Sequence, residues 1–196
     1  MKATDDPDGS RQRTATRQVL FVHGAGGEAF EEDAALVRSL REALGPDFAV
    51  EYPEMPDADA PEFGTWSALI SRELSALDGA VILVGHSLGA SILLKHLSEE
   101  RVEKPIAGVF LIATPYWGTA DWEAEFKLSE NFPETLPESV PIFLYHGSDD
   151  EVVPFAHLAL YAGRLPHATV REVEGRGHQL GDDLSEVAED VAKLKS

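Results

Sequence analysis

The segment GHSLG, residues 85–89, places one serine between two glycines. It directly follows the apolar run AVILV and precedes residues whose apolar positions have helical spacing. In this context of strand, turn and helix, the pattern Gly-x-Ser-x-Gly predicts a strained turn that exposes the Ser87 hydroxyl as a nucleophile. The positions two before and two after the serine come so close to neighbouring chain that a side chain would collide. This explains Gly85 and Gly89, which a serine that only solvated a turn would not need.

The same turn predicts an oxyanion hole. Ser87 would lie at the N-terminus of the following helix, where unpaired N–H groups and the helix dipole favour negative charge. The N–H of Leu88 can then face the oxygen of a tetrahedral intermediate. A second donor must come from another loop, and FVHGAGG at the end of the first predicted strand is the natural source, with Ala25 as first choice and Gly26 as second. His23 in that loop is predicted to brace it by hydrogen bonding.

A serine hydroxyl needs a base, and the base needs a carboxylate that orients it. Of the seven histidines, His178 lies in the glycine-flanked loop EGRGHQL after the last predicted strand, where it can reach over the sheet edge. Asp149 and Asp150 follow another predicted strand, in YHGSDDEVVP. A triad needs one carboxylate and the other can cap the turn, so both stay candidates, with Asp150 preferred. His86 is not a candidate base, because neighbours in a tight turn point apart.

Strand-like and helix-like segments alternate along the chain. Short apolar runs predict about six strands, in QVLFVHG, FAVEYP, AVILVG, IAGVFLIA, PIFLYHG and ATVREVEG. Apolar residues at helical spacing predict helices over residues 29–44, 63–77, 88–97, 155–165 and 184–194. The alternation predicts an α/β fold, a mainly parallel sheet with helices on both faces. Ligands bind beyond the carboxyl ends of such strands, where the polar signals described above are found.

The longest passage without a strand or helix pattern runs over residues 114–140. Loops of this length are commonly lids or pocket walls. Tyr116 and Trp117, which closely follow the strand VFLIA, are therefore predicted to line the substrate pocket, together with Trp66. Trp122 and Phe126 are further aromatic candidates, and ordinary packing explains each of the five equally well.

The composition is that of one globular domain. At 196 residues the chain is long enough for one core and short for two. We expect a mobile polar leader over residues 1–18 and a single domain over residues 19–196. The leader has no apolar segment of the kind that a secretory signal requires, which favours a cytoplasmic location. No apolar run is long enough to cross a membrane.

Composition also disfavours several classes of function. The chain has no cysteine, which excludes disulfides and thiolate chemistry. Sixteen Lys and Arg residues against 35 Asp and Glu residues give a net charge of −19, which disfavours a nucleic-acid partner. A solvated surface and adaptation to high salt both remain open as explanations of that charge. No His-Glu-x-x-His, Gly-x-Gly-x-x-Gly or Gly-Lys-Ser pattern occurs, so neither a metal site nor a nucleotide cofactor is expected.

The motifs FVHGAGG, VGHSLGAS, HGSDDEVVP and GRGH together resemble those of α/β-hydrolases. The chain is most similar to the small, lid-poor serine hydrolases of the retinoblastoma-binding-protein (YdeN-like) type, from about Val19 to its end. The resemblance implies an α/β-hydrolase fold with a minimal cap, cofactor-free hydrolysis of acyl compounds and Asp150 as the acid. The passage TPYWGTADWEAEFKLSENFPETLPE is acidic and aromatic, so the substrate pocket cannot be carried over from relatives.

The sequence thus predicts a carboxylesterase-like serine hydrolase that takes a small acyl substrate and has no nucleic-acid or membrane partner. Amides, thioesters and lactones share the same machinery and are not separated from esters at this point. The alternative is a binding module on a hydrolase scaffold, which would hold a protein partner with residues 114–140 and turn over weakly or not at all.

Overall fold

Six parallel strands form one sheet in the computed structural model, which describes residues 16–117, 124–137 and 139–195. The strands are β1 (Arg17–Val22), β2 (Phe48–Glu51), β3 (Val81–His86), β4 (Ile106–Ile112), β5 (Ile142–Gly147) and β6 (Thr169–Val173). Their order across the sheet is β2-β1-β3-β4-β5-β6, and every neighbouring pair is parallel. The predicted fold class is confirmed.

Helices connect most of the strands. They are α1 (Ala29–Leu44), α2 (Phe63–Ala76), α3 (Leu88–Glu99), α4 (Phe132–Thr135), α5 (Ala156–Arg164) and α6 (Ser185–Ala192). The five predicted helices are all present, with ends within two residues of those predicted. The single turn α4 was not predicted, because four residues are too few to show a helical repeat.

The helices cover both faces of the sheet. Apolar side chains of α1 and α6 form one core layer with β1, β3, β4 and β5. Those of α2, α3 and α5 form the other, and Phe126 and Phe132 from the long β4–β5 connection join this second layer. Every residue of β3 is buried, as expected for a central strand enclosed on both faces. The strand that leads into Ser87 is therefore packed on both faces.

The expected boundary of the leader at residue 18 is wrong. Arg17 and Gln18 already belong to β1, where they pair with Phe48 and Ala49 of β2. Two polar residues can occupy a strand because backbone hydrogen bonds do not depend on side-chain type. Residues 1–15 of the expected leader, and Trp122 among the pocket candidates, lie outside the described residues.

No helix within the described ranges is both long enough and apolar enough to span a membrane.

Candidate active site

Ser87 lies in a strained turn between β3 and α3. Its φ of 50° and ψ of −123° are in a region that side-chain-bearing residues rarely adopt, at a typical cost of ~1–3 kcal/mol. Its N–H donates to the carbonyl of Ile112 at the end of β4 (2.8 Å). A Cβ at Gly85 would come within 2.7 Å of Ala90 Cα, and one at Gly89 within 2.3 Å of the His23 carbonyl oxygen. The steric role predicted for both glycines is thus present in the structure.

Asp150, and not Asp149, is next to His178. Nδ1 of His178 is 2.9 Å from Oδ2 of Asp150, whose side chain is fully buried. Oδ1 of Asp150 accepts the backbone N–H groups of Val152 and Val153, both at 2.8 Å. Asp149 is exposed, and its carboxylate accepts only the hydroxyl of its neighbour Ser148 (2.9 Å) among the described residues. The structure therefore brings together the preferred carboxylate and the predicted base.

The surroundings of this pair give the two groups different charges. Burial by itself would raise the pKa of Asp150, but the hydrogen bonds from His178 and from the two backbone N–H groups outweigh it and lower that pKa. Burial, together with the charge of nearby His86, lowers the pKa of His178, although Asp150 opposes this. At neutral pH the carboxylate is ionised and the imidazole is neutral, the state that a general base needs.

The hydrogen bond between serine and histidine is not formed in this structure. Among the described residues, neither Ser87 Oγ nor His178 Nε2 has a hydrogen-bond partner. The two residues are linked through His86, which precedes Ser87 in the chain and whose Nε2 is 3.0 Å from the carbonyl oxygen of His178. Catalytic hydrogen bonds of this kind often shorten only when substrate binds.

Two backbone N–H groups near Ser87 are available for an oxyanion. Gly24 N–H donates to Asp33 Oδ2 (2.9 Å) and Gly26 N–H to the carbonyl of Ala58 (2.8 Å). Neither Ala25 N–H nor Leu88 N–H has an acceptor within the part of the chain that the structure describes. Gly26, the second choice from sequence, is therefore engaged elsewhere, whereas Ala25 and Leu88 are free to bind an oxyanion.

His23 braces the loop that carries Ala25. Met55 N–H donates to its Nε2 (2.8 Å), so the ring proton lies on Nδ1 and is donated to the Gly24 carbonyl (2.7 Å). Burial lowers the pKa of His23, which keeps the ring neutral. This is the bracing role predicted from sequence.

The aromatic pocket candidates differ in their accessibility. Tyr116 and Trp117 line a cavity of about 240 Å³ together with Leu128, Phe132 and Tyr161. Trp66 does not line it, which corrects the prediction: its side chain is fully buried and its indole N–H donates to the Pro56 carbonyl (2.8 Å). Trp66 lies on the buried face of α2, which turns the ring into the core.

A second cavity, of about 560 Å³, lies beside the loop of residues 23–27, hereafter the oxyanion loop. Its wall includes His23, Gly26 and Gly27. Four carboxylate side chains also line it, those of Glu54, Asp57, Asp59 and Glu62. Their negative charge disfavours an anionic group on this side of the site.

Sequence reasoning missed several residues that contact the site. Asp33 and His86 form a buried pair (2.8 Å), and His146 Nε2 lies 3.1 Å from Asp150 Oδ2. One available signal was the position of Asp33 in α1, on the same face as Ala29, Leu36, Val37 and Leu40. A carboxylate on an apolar helical face has to find a buried partner, because an isolated buried charge is very costly.

Within the described ranges, no group of three or more His, Cys, Asp or Glu side chains could hold a metal ion.

Comparisons with known proteins identify a family and a fold for this chain. The family model for serine hydrolases matches residues 19–185. YdeN of Bacillus subtilis (strain 168), which is designated a hydrolase, is 23% identical over 175 residues, covering 86% of this chain and 88% of YdeN. The crystal structure of the B. subtilis ydeN product has a TM-score of 0.70 at 22% identity and covers 90% of this chain and 97% of its own. Est1E from Butyrivibrio proteoclasticus has a TM-score of 0.67 at 17% identity, covering 90% and 86%.

Proposed function

Because this chain belongs to the serine hydrolase family and has the α/β-hydrolase fold, we propose that it cleaves small carboxylic esters through an acyl-enzyme on Ser87. One observation carries the proposal: a serine in a strained turn directly follows His86, which contacts His178, and a buried carboxylate orients the His178 imidazole at 2.9 Å. Strain of this kind persists where the surrounding structure holds it, and it is concentrated at functional sites.

The proposed reaction uses groups that follow the carboxyl ends of the strands. Ser87 Oγ attacks the ester carbonyl while Nε2 of His178 takes its proton, and Asp150 holds Nδ1–H and stabilises the imidazolium. The N–H groups of Leu88 and Ala25 bind the resulting oxyanion. The intermediate collapses as His178 returns the proton to the leaving alcohol. His178 then deprotonates a water molecule, which attacks the acyl carbonyl. As this second intermediate collapses, the bond to Ser87 Oγ breaks, His178 returns the proton to Oγ, and the carboxylic acid leaves.

The cavity beside Tyr116 and Trp117 supports a small acyl group. Its volume of about 240 Å³ lies below the ~300–1,000 Å³ common for drug-sized ligands. Its aromatic side chains suit an uncharged group, although Lys127, Glu130 and Arg164 also line it. The four carboxylates of the cavity beside the oxyanion loop disfavour an anionic group there.

The first test is covalent labelling with a fluorophosphonate probe, which reacts with activated serines. Wild type should be labelled, whereas Ser87→Ala should not be and His178→Ala should react much more slowly. Ser75→Ala, which removes an exposed α2 hydroxyl that donates to the Ser71 carbonyl, is the matched control and should be labelled like wild type. An unlabelled wild type, or labelling that survives in Ser87→Ala, would overturn the mechanism and favour the binding module.

The substrate class is tested with p-nitrophenyl esters of increasing acyl length and with matched anilides. We expect kcat/KM to be highest for short acyl chains and to fall as the chain outgrows the cavity. A preference for long chains, or anilides hydrolysed faster than esters, would contradict the proposed substrate class.

A further inference from the structure

His86 lies between two groups that only accept hydrogen bonds. Its Nδ1 is 2.8 Å from Oδ2 of Asp33, and its Nε2 is 3.0 Å from the backbone carbonyl oxygen of His178. The side chains of His86 and Asp33 are each only 1% exposed, so water does not replace either contact. Both ring nitrogens must carry a proton to make both hydrogen bonds, which makes His86 a buried imidazolium.

Asp33 in turn holds two loops of the site. Its Oδ2 also accepts the Gly24 N–H (2.9 Å), and its Oδ1 accepts Nε2 of Gln179 (3.0 Å). Gly24 lies directly against Ser87, since a Cβ on it would be 3.2 Å from Ser87 Cβ. Gln179 directly follows His178. The Asp33 carboxylate of α1 therefore fixes both the oxyanion loop and the loop that carries His178 and Gln179. Through His86 it also fixes the end of β3.

We propose that Asp33 and His86 are positioning residues: a buried ion pair that holds the oxyanion loop and His178 in place around Ser87 and keeps the His86 ring 4.7 Å from the His178 ring. This inference rests on the proposed function in that it takes His178 as the base. Neither residue touches the reacting atoms in the proposed mechanism.

The charged and titratable groups around His178 come from three elements. Asp150 follows β5 and contacts His146 of the same strand, His86 ends β3, and Asp33 comes from α1. Burial alone would lower the pKa of His86, but the charge and hydrogen bond of Asp33 and the His178 carbonyl raise it. The positive charge of His86 then helps burial to lower the pKa of His178, while Asp150 and, to a lesser extent, Asp33 oppose it.

Removing the pair should therefore move the titration of His178 to higher pH. His86→Gln removes the positive charge and leaves Asp33, whereas Asp33→Asn keeps the shape of the side chain and removes the charge that holds His86 protonated. The upward shift of the His178 titration should be larger in His86→Gln than in Asp33→Asn, because the negative charge of Asp33, which favours protonated His178, stays in His86→Gln. Loosened positioning should also lower kcat about 10- to 100-fold at neutral pH, since small displacements at a reacting centre have large effects on rate.

The test is a pH titration of the histidine rings by ¹⁵N NMR on the full chain, with signals of His86 and His178 assigned from the His86→Gln and His178→Ala spectra. In wild type, both ring nitrogens of His86 should stay protonated through neutral pH. The titration midpoint of His178 should lie at a lower pH in wild type than in the variants. If a single variant does not fold, the double variant Asp33→Asn/His86→Gln is measured in its place, because it leaves no unpaired buried charge. Tyr145→Phe, which removes a buried hydrogen bond to a different carboxylate, is the control and should leave the His178 titration unchanged.

Two results would overturn the inference: a His86 ring that is neutral at neutral pH, or a His178 that titrates at the same pH in wild type and in the double variant. Failure of the proposed function would be visible elsewhere, as absent fluorophosphonate labelling and absent ester turnover. The ring titrations need no substrate, so the two failures are distinguishable.

Discussion

Two adjacent aspartates show how far the surroundings of a side chain decide its chemistry. The side chain of Asp150 is fully buried, accepts two backbone N–H groups and contacts the rings of His178 and His146. Asp149 is exposed beside Ser148. The carboxyl group is the same in both, and only Asp150 is placed to orient an imidazole.

Replacing each aspartate with asparagine separates the two roles. Asp150→Asn should lower kcat by about 10³- to 10⁴-fold, because an amide neither fixes the Nδ1–H tautomer of His178 nor stabilises its imidazolium form. Its Oδ1 can still accept from Val152 and Val153, so the fold should survive. Asp149→Asn is the matched control and should keep near-wild-type kcat. Steady-state kinetics on a short-chain ester measure both, and a loss of activity in Asp149→Asn alone would contradict the assignment.

At the scale of elements, the β3–α3 junction requires the chain to pass within contact distance of the end of β1. Gly89 is the point of closest approach, since a Cβ there would be 2.3–2.4 Å from the carbonyl oxygens of His23 and Val22. Backbone atoms of a central strand cannot move aside cheaply. Any side chain at residue 89 would instead displace α3, together with the Leu88 N–H.

Gly89→Ala should therefore destabilise the protein by more than about 3 kcal/mol and abolish fluorophosphonate labelling. Gly64→Ala is the control, because Gly64 is also helical and a Cβ there meets nothing within 4 Å. That variant should stay within about 1 kcal/mol of wild type, or exceed its stability, and keep full labelling. Denaturant unfolding and labelling measure both. A labelled, stable Gly89→Ala would disprove the steric account.

Helix α6 is attached to the sheet through Asp190. This buried carboxylate accepts the Tyr145 hydroxyl of β5 (2.9 Å), Arg171 Nε of β6 (2.9 Å) and Lys193 Nζ (3.1 Å). Burial alone would raise its pKa, but hydrogen bonds from Arg171, Lys193 and Tyr145 lower it to about 2. An acid whose pKa is lower in the folded state stabilises the fold above its ordinary pKa, and this contribution is lost as the pH falls through the folded value.

Asp190→Asn should destabilise the protein by about 2 kcal/mol at neutral pH. The difference in the free energy of unfolding between variant and wild type should narrow as the pH falls from about 4 towards 2. Glu189→Gln is the matched control. Glu189 is exposed and its ion pair with Lys193 is long, at 4.0 Å, so its replacement should have little effect on stability. Urea unfolding across this pH range measures the difference. A constant difference down to the lowest pH at which the protein folds would contradict the role of the ionised form.

At the scale of the whole molecule, the net charge of −19 has a consequence for stability. Excess charge of one sign destabilises a compact state by repulsion between its own groups, and salt screens that repulsion. The effect belongs to the whole surface and does not identify a partner.

Raising NaCl from about 0.05 to about 0.5 M at neutral pH should therefore stabilise the protein by about 1 kcal/mol, or about 2–4 °C in Tm. Near pH 4.6, where the net charge vanishes, the same addition should have almost no effect. Calorimetric Tm values in the two series provide the measurement and its control. An equal rise at both pH values would show that salt acts through the solvent and not through screening.

The sequence by itself determined the order of elements and made Ser87 and His178 candidates for the site, because strands, helices and sharp turns depend on short-range patterns. The parallel sheet of about six strands followed from the alternation of these elements, and the five predicted helices were found within two residues of their observed ends. The preference for Asp150 also came from the sequence, through its resemblance to a known family.

Contacts between distant segments were decided only by the tertiary structure. Asp33 and His86 are 53 residues apart, and Gln179 and Asp33 146 apart, so no local pattern links them. The prediction that Trp66 lines the substrate pocket was wrong, because the residue type alone does not reveal whether the ring faces a cavity or the core. The contacts of Asp33 with His86, Gly24 and Gln179 exist because the sheet brings its strand ends to one edge, where side chains from separate loops meet.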